Sequence, residues 1–177
     1  MRRKLTGGLA QAAVLCAVVV VCAHGQELQT PELNPVKWSL KPATSASQVK
    51  AGEKFVLQLA AEIEDGWHLY STEEIPQGPK PTRITLVPMQ PFELSEIDSP
   101  APQKAADPNF PVETEFYEHS VTFALSMRVK PDATPGAHSL TVQVRYQSCT
   151  ETLCLLPKLV NLKVEIQISN REKAASQ

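Results

Sequence analysis

The chain has 177 residues, with 17 Lys and Arg against 19 Asp and Glu, which gives a formal net charge of −2 at pH 7. No basic stripe runs along it, which argues against nucleic acid as a partner. The 7 glycines and 15 prolines argue against long helices, and the length suits one domain with a sizeable core.

The first 25 residues have the pattern of a secretory signal peptide. A basic start, MRRK, precedes the apolar run AAVLCAVVVVCA, and Ala23 and Gly25 supply the small residues before a cleavage site. We therefore expect cleavage after Gly25 and export to the periplasm, where disulfides form and persist. Two alternatives remain open. Lipidation at Cys22 would attach the protein to a membrane, although Val21 stands where a small residue is preferred. An uncleaved segment would instead act as an anchor helix.

Alternation of apolar and polar residues with a period of two predicts strands in the rest of the chain. Such strands have one buried and one solvated face. The clearest segments are KFVLQLAAEI (54–63), SVTFALSMRV (120–129), SLTVQVRY (139–146) and LVNLKVEIQI (159–168), with VKWSLKP (36–42) and TRITLVP (82–88) as further candidates. Turn signals separate these segments. The pattern predicts an all-β, antiparallel, immunoglobulin-like β-sandwich over residues 35–168, between flexible segments 26–34 and 169–177.

One long segment, DSPAPQKAADPNFPVE (98–113), carries four prolines and shows no strand pattern. A loop of this length in a compact domain is usually functional or disordered. It leads directly into TEFYEHS (114–120), where two aromatic residues follow an acid. We therefore expect an irregular loop here, which leads into an aromatic segment.

Two cysteines, Cys149 and Cys154, flank the polar segment TETL at the end of a predicted strand. A chain that reverses over these four residues brings the two flanking residues opposite each other. Paired strand residues have Cα atoms about 4.5–5.5 Å apart, which is within the range that a disulfide accepts. The bond would close a short ring and would contribute about 2 kcal/mol or less to stability.

The spacing alone leaves three uses for this pair open. It can be a redox centre, a local structural staple or, least in keeping with the sequence, part of a metal site. A zinc site needs four ligands, and the histidines His68, His119 and His138 are not at ligand spacing from the cysteines. We therefore expect no metal and no cofactor. His68 more often accepts or donates a hydrogen bond than takes part in catalysis.

Three segments resemble the N-terminal periplasmic domain of the thiol:disulfide interchange protein DsbD family. They are YQSCTETLCLLPK, EDGWHLYS and TEFYEHSVTF, and they follow one another in the family's order along residues 35–168. The resemblance implies an immunoglobulin-like sandwich that carries one redox-active cysteine pair. It also implies that electrons arrive from membrane-spanning and thioredoxin-like partners and pass to oxidised periplasmic proteins.

The resemblance implies roles for individual residues as well. By position, Cys154 would form the mixed disulfide with a partner, and Cys149 would resolve it. Glu115, Phe116 and Tyr117 would belong to a cap loop that shields the pair. His68 and Tyr70, from GWHLY, would line the site from a neighbouring strand.

The sequence also departs from the family pattern. Thr114 stands where the best-known members have an acid, and His68 stands where they have a tyrosine. The family proteins continue into membrane helices and a thioredoxin-like domain, whereas this chain stops at Gln177. We therefore expect its redox partners, thioredoxin-like domains or a membrane-embedded reductase, to be other polypeptides.

These features predict an exported thiol–disulfide exchange module, a component of a protein-disulfide reductase if it is active. Near the thiols, Glu115 and Glu151 would disfavour a thiolate, while Arg145 and Lys158 would favour one. The alternative is a secreted binding module without catalytic activity, in which a permanent Cys149–Cys154 disulfide shapes a binding loop.

Overall fold

The computed structural model describes residues 33–43 and 48–169. The predicted signal peptide, Cys22 and most of the two predicted flexible segments lie outside these residues. The described part of the chain consists of strands and turns, and none of it forms a helix long and apolar enough to cross a bilayer.

Twelve strands are present in the described residues. They are β1 (Val36–Pro42), β2 (Gln48–Lys50), β3 (Lys54–Ile63), β4 (His68–Tyr70), β5 (Arg83–Leu86), β6 (Phe92–Asp98), β7 (Gln103–Ala106), β8 (Glu113–Tyr117), β9 (Ser120–Val129), β10 (Gly136–Tyr146), β11 (Ser148–Cys149) and β12 (Lys158–Ser169).

Two four-stranded sheets form a sandwich. The first has the order β1–β3–β9–β6 and the second the order β2–β12–β10–β5. Neighbouring strands in these sheets are antiparallel except β2 and β12, which run parallel. The sheets share one core, across which the rings of Trp38 and Tyr146 lie with their centroids 5.4 Å apart. The all-β sandwich predicted from the sequence is confirmed.

The apolar face predicted from the alternation is buried along the whole of β9, which lies in the centre of the first sheet. Val121, Phe123, Leu125, Met127 and Val129 of β9 are all buried. In β12 the burial is uneven. Ile166 and Ile168, near its end, are buried, whereas the apolar residues before them on the same face are only half-buried. A period of two therefore identifies the inward face of a strand but not how fully the facing sheet covers it.

A third sheet, with the order β11–β4–β8–β7, lies beside one end of the sandwich. Its strand β4 follows the end of β3, and β11 follows the end of β10. These two ends are close together, because Trp38 pairs with Ala61 in β3 while its ring contacts Tyr146 at the end of β10. The third sheet positions the cysteine pair.

The prediction of one irregular loop over residues 98–113 is wrong in part. Asp98 ends β6, Gln103–Ala106 form β7, and Glu113 begins β8. The segment QKAA has no β-branched or aromatic residue, so its sequence gives no strand signal. It is a strand because its backbone pairs with β8, from Gln103 opposite Phe116 to Ala106 opposite Glu113. Tertiary pairing here overrides local propensity.

Candidate redox site

The two cysteines lie at the base of a tight chain reversal and are joined by a disulfide. Cys149 ends β11 and pairs with Cys154 through an isolated antiparallel bridge, with their Cα atoms 4.1 Å apart. The predicted reversal over TETL is confirmed. The Cys149 residue is fully buried, whereas Cys154 is half-buried. An approaching molecule therefore reaches Cys154 more easily than Cys149.

The turn between the cysteines has its own hydrogen bonds. The Thr150 hydroxyl oxygen accepts the backbone N–H of Leu153 at 3.0 Å and that of Thr152 at 3.3 Å. The Thr150 N–H donates to the Leu153 carbonyl at 2.8 Å, and the Leu155 N–H donates to the Ser148 carbonyl at 3.1 Å. A threonine that satisfies backbone donors in this way favours a turn locally. The reversal is thus held by more than the disulfide.

Side chains of the third sheet alternate between two faces. One face packs on the sandwich core, and the other carries the candidate site. Leu69 of β4 pairs with Ser148 and Tyr117, and Leu69 and Tyr117 join the sandwich core. The residues on either side of Leu69 point to the opposite face. His68 there pairs with Cys149, and Tyr70 pairs with Phe116. We call this the site face of the sheet.

A buried carboxylate, Asp107, lies against the site face. Its side chain is 2% exposed. One oxygen, Oδ2, accepts a hydrogen bond from the Tyr70 hydroxyl at 2.6 Å and lies 3.2 Å from His68 Nε2. The Thr114 hydroxyl donates to the same oxygen at 3.4 Å. His68 Nε2 and the Tyr70 hydroxyl are themselves 3.0 Å apart.

The other oxygen of Asp107 is held by Asn109. Oδ1 accepts the backbone N–H of Asn109 at 2.8 Å and the Nδ2 amide of the same residue at 2.9 Å. The first of these bonds is that of an Asx turn, which the sequence Asp-Pro-Asn favours. Asn109 Nδ2 also donates to the carbonyl of Thr150 at 2.8 Å. Asn109 therefore connects the buried carboxylate to the cysteine turn.

The charges of this cluster follow from burial and hydrogen bonding. Burial raises the pKa of the Asp107 carboxyl, but hydrogen bonds from Tyr70 and Asn109, with the nearby His68, outweigh it and hold that pKa below its ordinary value. The pKa of Tyr70 is raised far above its ordinary value by burial, by its hydrogen bond to Asp107 and by the charge of that carboxylate. At neutral pH, Asp107 is ionised and Tyr70 is a neutral donor.

The three residues predicted to form a cap loop lie instead in strand β8. They are in a strand because Phe116 and Tyr117 pair with Tyr70 and Leu69 of β4. The Phe116 ring packs on the site face, with its centroid 4.9 Å from that of His68. Of the predicted cap residues, Phe116 is the one whose ring contacts the site-face histidine.

The two neighbours of Phe116 point away from the site face. Tyr117 is buried in the core, where its ring lies 5.8 Å from that of Phe123 and its hydroxyl donates to the Pro100 carbonyl at 2.8 Å. Glu115 forms an ion pair with Lys104 at 2.6 Å and accepts a hydrogen bond from the Ser71 hydroxyl at 3.3 Å. The acid that lies on the site face is therefore Asp107, not Glu115.

A small cleft of about 140 Å³ lies beside the cysteine turn. His68, Asp107 and Phe116 line it from the site face, and Glu151 lines it from the turn. Phe110 extends this aromatic surface, because its ring meets that of Tyr70 edge to face at 5.7 Å. The predicted residues His68, Tyr70 and Phe116 are thus brought together next to the cysteine pair.

Sequence reasoning missed Asp107 and Asn109. Both lie in the segment interpreted as an irregular loop, and Asp-Pro-Asn has the composition of a solvated turn. The only signal for them is the Asx-turn pattern itself, which predicts a local hydrogen bond but not burial against another strand.

The structure is similar to parts of solved protein structures. It matches the N-terminal periplasmic domain of ScsB from Proteus mirabilis with a TM-score of 0.51 at 15% sequence identity, over 79% of this chain and 49% of that one. It matches a cohesin–dockerin complex, Coh-OlpA-Doc918 of Clostridium thermocellum, with a TM-score of 0.41 at 12% identity, over 77% of this chain and 100% of that one. The ScsB likeness supports the predicted immunoglobulin-like sandwich.

Family membership follows from the sequence itself. No curated protein sequence matches the chain. The family model of the thiol:disulfide interchange protein DsbD, N-terminal, matches residues 39–165, which include both cysteines and the whole site face. The chain therefore belongs to the DsbD N-terminal family.

Proposed function

We propose that the protein is an exported thiol–disulfide exchange module that passes reducing equivalents between periplasmic proteins through Cys149 and Cys154. The observation that carries this proposal is the unequal burial of a disulfide-bonded pair in a chain of this family. Cys149 is fully buried and Cys154 is half-buried. Exchange requires one sulfur that a partner reaches and a second sulfur held beside it.

The exchange takes two balanced steps. A thiolate of a reduced partner attacks the Cys154 Sγ; the partner–Cys154 disulfide forms, the Cys149–Cys154 bond breaks, and Cys149 leaves as a thiolate that takes a proton. The partner's second thiolate then attacks the partner sulfur that is bonded to Cys154. The partner is released with a disulfide, and Cys154 is left reduced. The same steps in reverse reduce a client disulfide.

The energetics also favour exchange over a structural role. A disulfide that closes so short a ring removes little entropy from the unfolded chain, about 2 kcal/mol or less. The turn is also held by the hydrogen bonds of Thr150. Reduction of the pair therefore costs the domain little stability, which a carrier that cycles between two states requires.

An apolar surface beside Cys154 supports a protein as the partner. Among the described residues, Leu153, Leu156 and Leu159 are large hydrophobic residues that are 48%, 87% and 56% exposed. Leu33 is 47% exposed, and its carbonyl accepts a hydrogen bond from the side chain of Lys158, which stands between Leu156 and Leu159 in the sequence. Exposed apolar groups concentrated in one place mark interaction sites. A thioredoxin-like domain or a membrane-embedded reductase would cover them during exchange.

The variant Leu156→Ser is expected to slow exchange with a thioredoxin-like protein about tenfold while leaving exchange with glutathione unchanged. The reason is that a protein partner buries this side chain and a small thiol does not. Stopped-flow rates with reduced thioredoxin and with glutathione measure the two effects. Met89→Ser is the matched control, because Met89 is fully exposed but lies beside Lys130 and His138, near the opposite end of β10.

Equal slowing with thioredoxin and glutathione would contradict a docking role, since it would point to an altered cysteine turn. Equal slowing by Leu156→Ser and Met89→Ser would contradict it as well.

The proposed function is tested by the reduction potential of the pair. The purified protein, comprising residues 26–177, is equilibrated in glutathione buffers of graded potential. The fraction of reduced Cys149 and Cys154 is measured by alkylation of the free thiols and mass spectrometry. The expected midpoint lies between about −120 and −270 mV, the range of known exchange proteins. A midpoint below about −300 mV would mark a structural disulfide and favour the binding module.

A further inference from the structure

The segment 107–110 makes a specific contact with the cysteine turn. Asn109 Nδ2 donates to the Thr150 carbonyl at 2.8 Å and to Asp107 Oδ1 at 2.9 Å. Thr150 is the residue whose hydroxyl holds the turn between the cysteines. The Asn109 side-chain amide thus connects the cysteine turn to the Asp107 carboxylate.

Asp107, the residue to which Asn109 connects the turn, is held in place by burial and by a second hydrogen bond. Asp107 is buried, and its other oxygen accepts a hydrogen bond from the Tyr70 hydroxyl at 2.6 Å. Its ionised state strengthens both bonds, because hydrogen bonds to a carboxylate are shorter and stronger than neutral ones. Asn109 therefore connects the cysteine turn to the site face of the third sheet.

We propose that Asn109 is a positioning residue for the cysteine pair, which holds the turn in the reduced protein so that the two sulfurs stay opposed. This inference rests on the proposed function of the pair. Neither the Asn109 amide nor the Thr150 carbonyl takes part in bond exchange, so opening the disulfide does not itself break their hydrogen bond. Without it the reduced turn spreads, and closing the disulfide then costs more conformational entropy.

The direction of the effect on the redox equilibrium follows. The reaction is protein dithiol plus glutathione disulfide, which gives protein disulfide plus two molecules of glutathione. If the turn is held in the reduced state, the two thiols remain close and the equilibrium favours the protein disulfide. Loss of the tie therefore lowers the equilibrium constant and makes the pair more oxidising.

The test compares Asn109→Ala with the wild-type protein in glutathione buffers. The equilibrium constant for disulfide formation is expected to fall about tenfold, which is a rise of about 30 mV in the reduction potential. Asn161→Ala is the matched control, because Asn161 is an exposed asparagine whose side chain accepts one hydrogen bond, from Gln143. That variant should leave the equilibrium constant unchanged.

A second measurement covers the possibility that Asn109→Ala weakens the fold. In the reduced variant, amide exchange of Thr152 and Leu153, whose N–H groups bond Thr150, should be at least tenfold faster, while exchange in β9 stays the same. An equilibrium constant within twofold of wild type, with unchanged amide exchange, would overturn the inference. The wild-type midpoint alone decides the proposed function, whereas the difference between variants decides this inference.

Discussion

The variant Cys149→Ala is expected to accumulate a stable mixed disulfide through Cys154, and Cys154→Ala is expected to form none. The physical reason is access. Cys154 is half-buried at the start of an exposed apolar segment, while Cys149 is fully buried and paired with His68 in the third sheet. When Cys149 is absent, no second sulfur stands beside Cys154 to resolve the adduct.

The measurement uses a probe of known chemistry. Each variant is reduced, freed of reductant and mixed with one of two probes. The first probe is oxidised glutathione. The second is a thioredoxin variant with a single active-site cysteine, which carries a coloured thiol in a mixed disulfide and releases that thiol when Cys154 attacks. Adducts are counted by mass under acid quench. The Cys154→Ala protein should show a complete loss of adduct with the thioredoxin probe. A variant that lacks both cysteines gives the background.

The free energy of unfolding of each variant must also be measured, because it distinguishes an exchange module from a binding module with a structural disulfide. Both single variants should remain folded with a loss of about 2 kcal/mol or less in the free energy of unfolding, because Thr150 still bonds the turn. An adduct at Cys149 but not at Cys154 would reverse the assigned roles. Failure of either variant to fold would support a structural staple.

Most of the long strands could be predicted from the sequence alone, although β6, with seven residues, was not. The segments 36–42, 54–63 and 120–129 match β1, β3 and β9 end to end. Each follows a period of two over seven or more residues, and β3 and β9 lie in the centre of a sheet where burial enforces that period. The short strands β4, β7 and β11 were not predicted, since two to four residues carry no period.

The site was only partly predictable for the same reason. The chain reversal between the cysteines depends only on neighbouring residues. The spacing of Cys149 and Cys154 around TETL was therefore enough to predict that the two cysteines face each other. The partners of Tyr70 could not be predicted in this way, because the Asp107 carboxylate becomes buried only when β4, the segment 107–109 and Thr114 meet. No local pattern distinguishes this aspartate from the exposed Asp98 at the end of β6.

The charges around the thiols differ from those expected. Glu115 was expected to disfavour a thiolate, but it lies on the opposite face of β8 from Phe116 and pairs with Lys104. The buried anion on the side of the cysteine turn is Asp107, which the sequence did not reveal. Its hydrogen bond with the Thr114 hydroxyl places a negative charge beside Thr114, one of the positions at which the sequence departs from the expected family pattern.

Replacement of Asp107 is expected to destabilise the domain. Asp107→Ala removes the carboxylate that accepts from the buried Tyr70 hydroxyl, and it removes one of the two acceptors of the Asn109 side-chain amide. The expected cost is about 3 kcal/mol at pH 7. Urea unfolding monitored by tryptophan fluorescence gives the free energy. Asp65→Ala is the matched control, since the Asp65 side chain is 97% exposed and pairs with the exposed His119.

The pH dependence identifies the cause of this loss. The folded pKa of Asp107 lies below its ordinary value of 3.8, so the ionised form stabilises the fold. That contribution is fully present above about pH 4 and is lost as the pH falls through the folded pKa. Asp107→Asn retains the shape but cannot ionise, and its difference in unfolding free energy from wild type should therefore shrink as the pH is lowered from 5 toward 3. A difference that stays constant over this range would mean that packing, and not the carboxylate charge, holds Tyr70 and Asn109 in place.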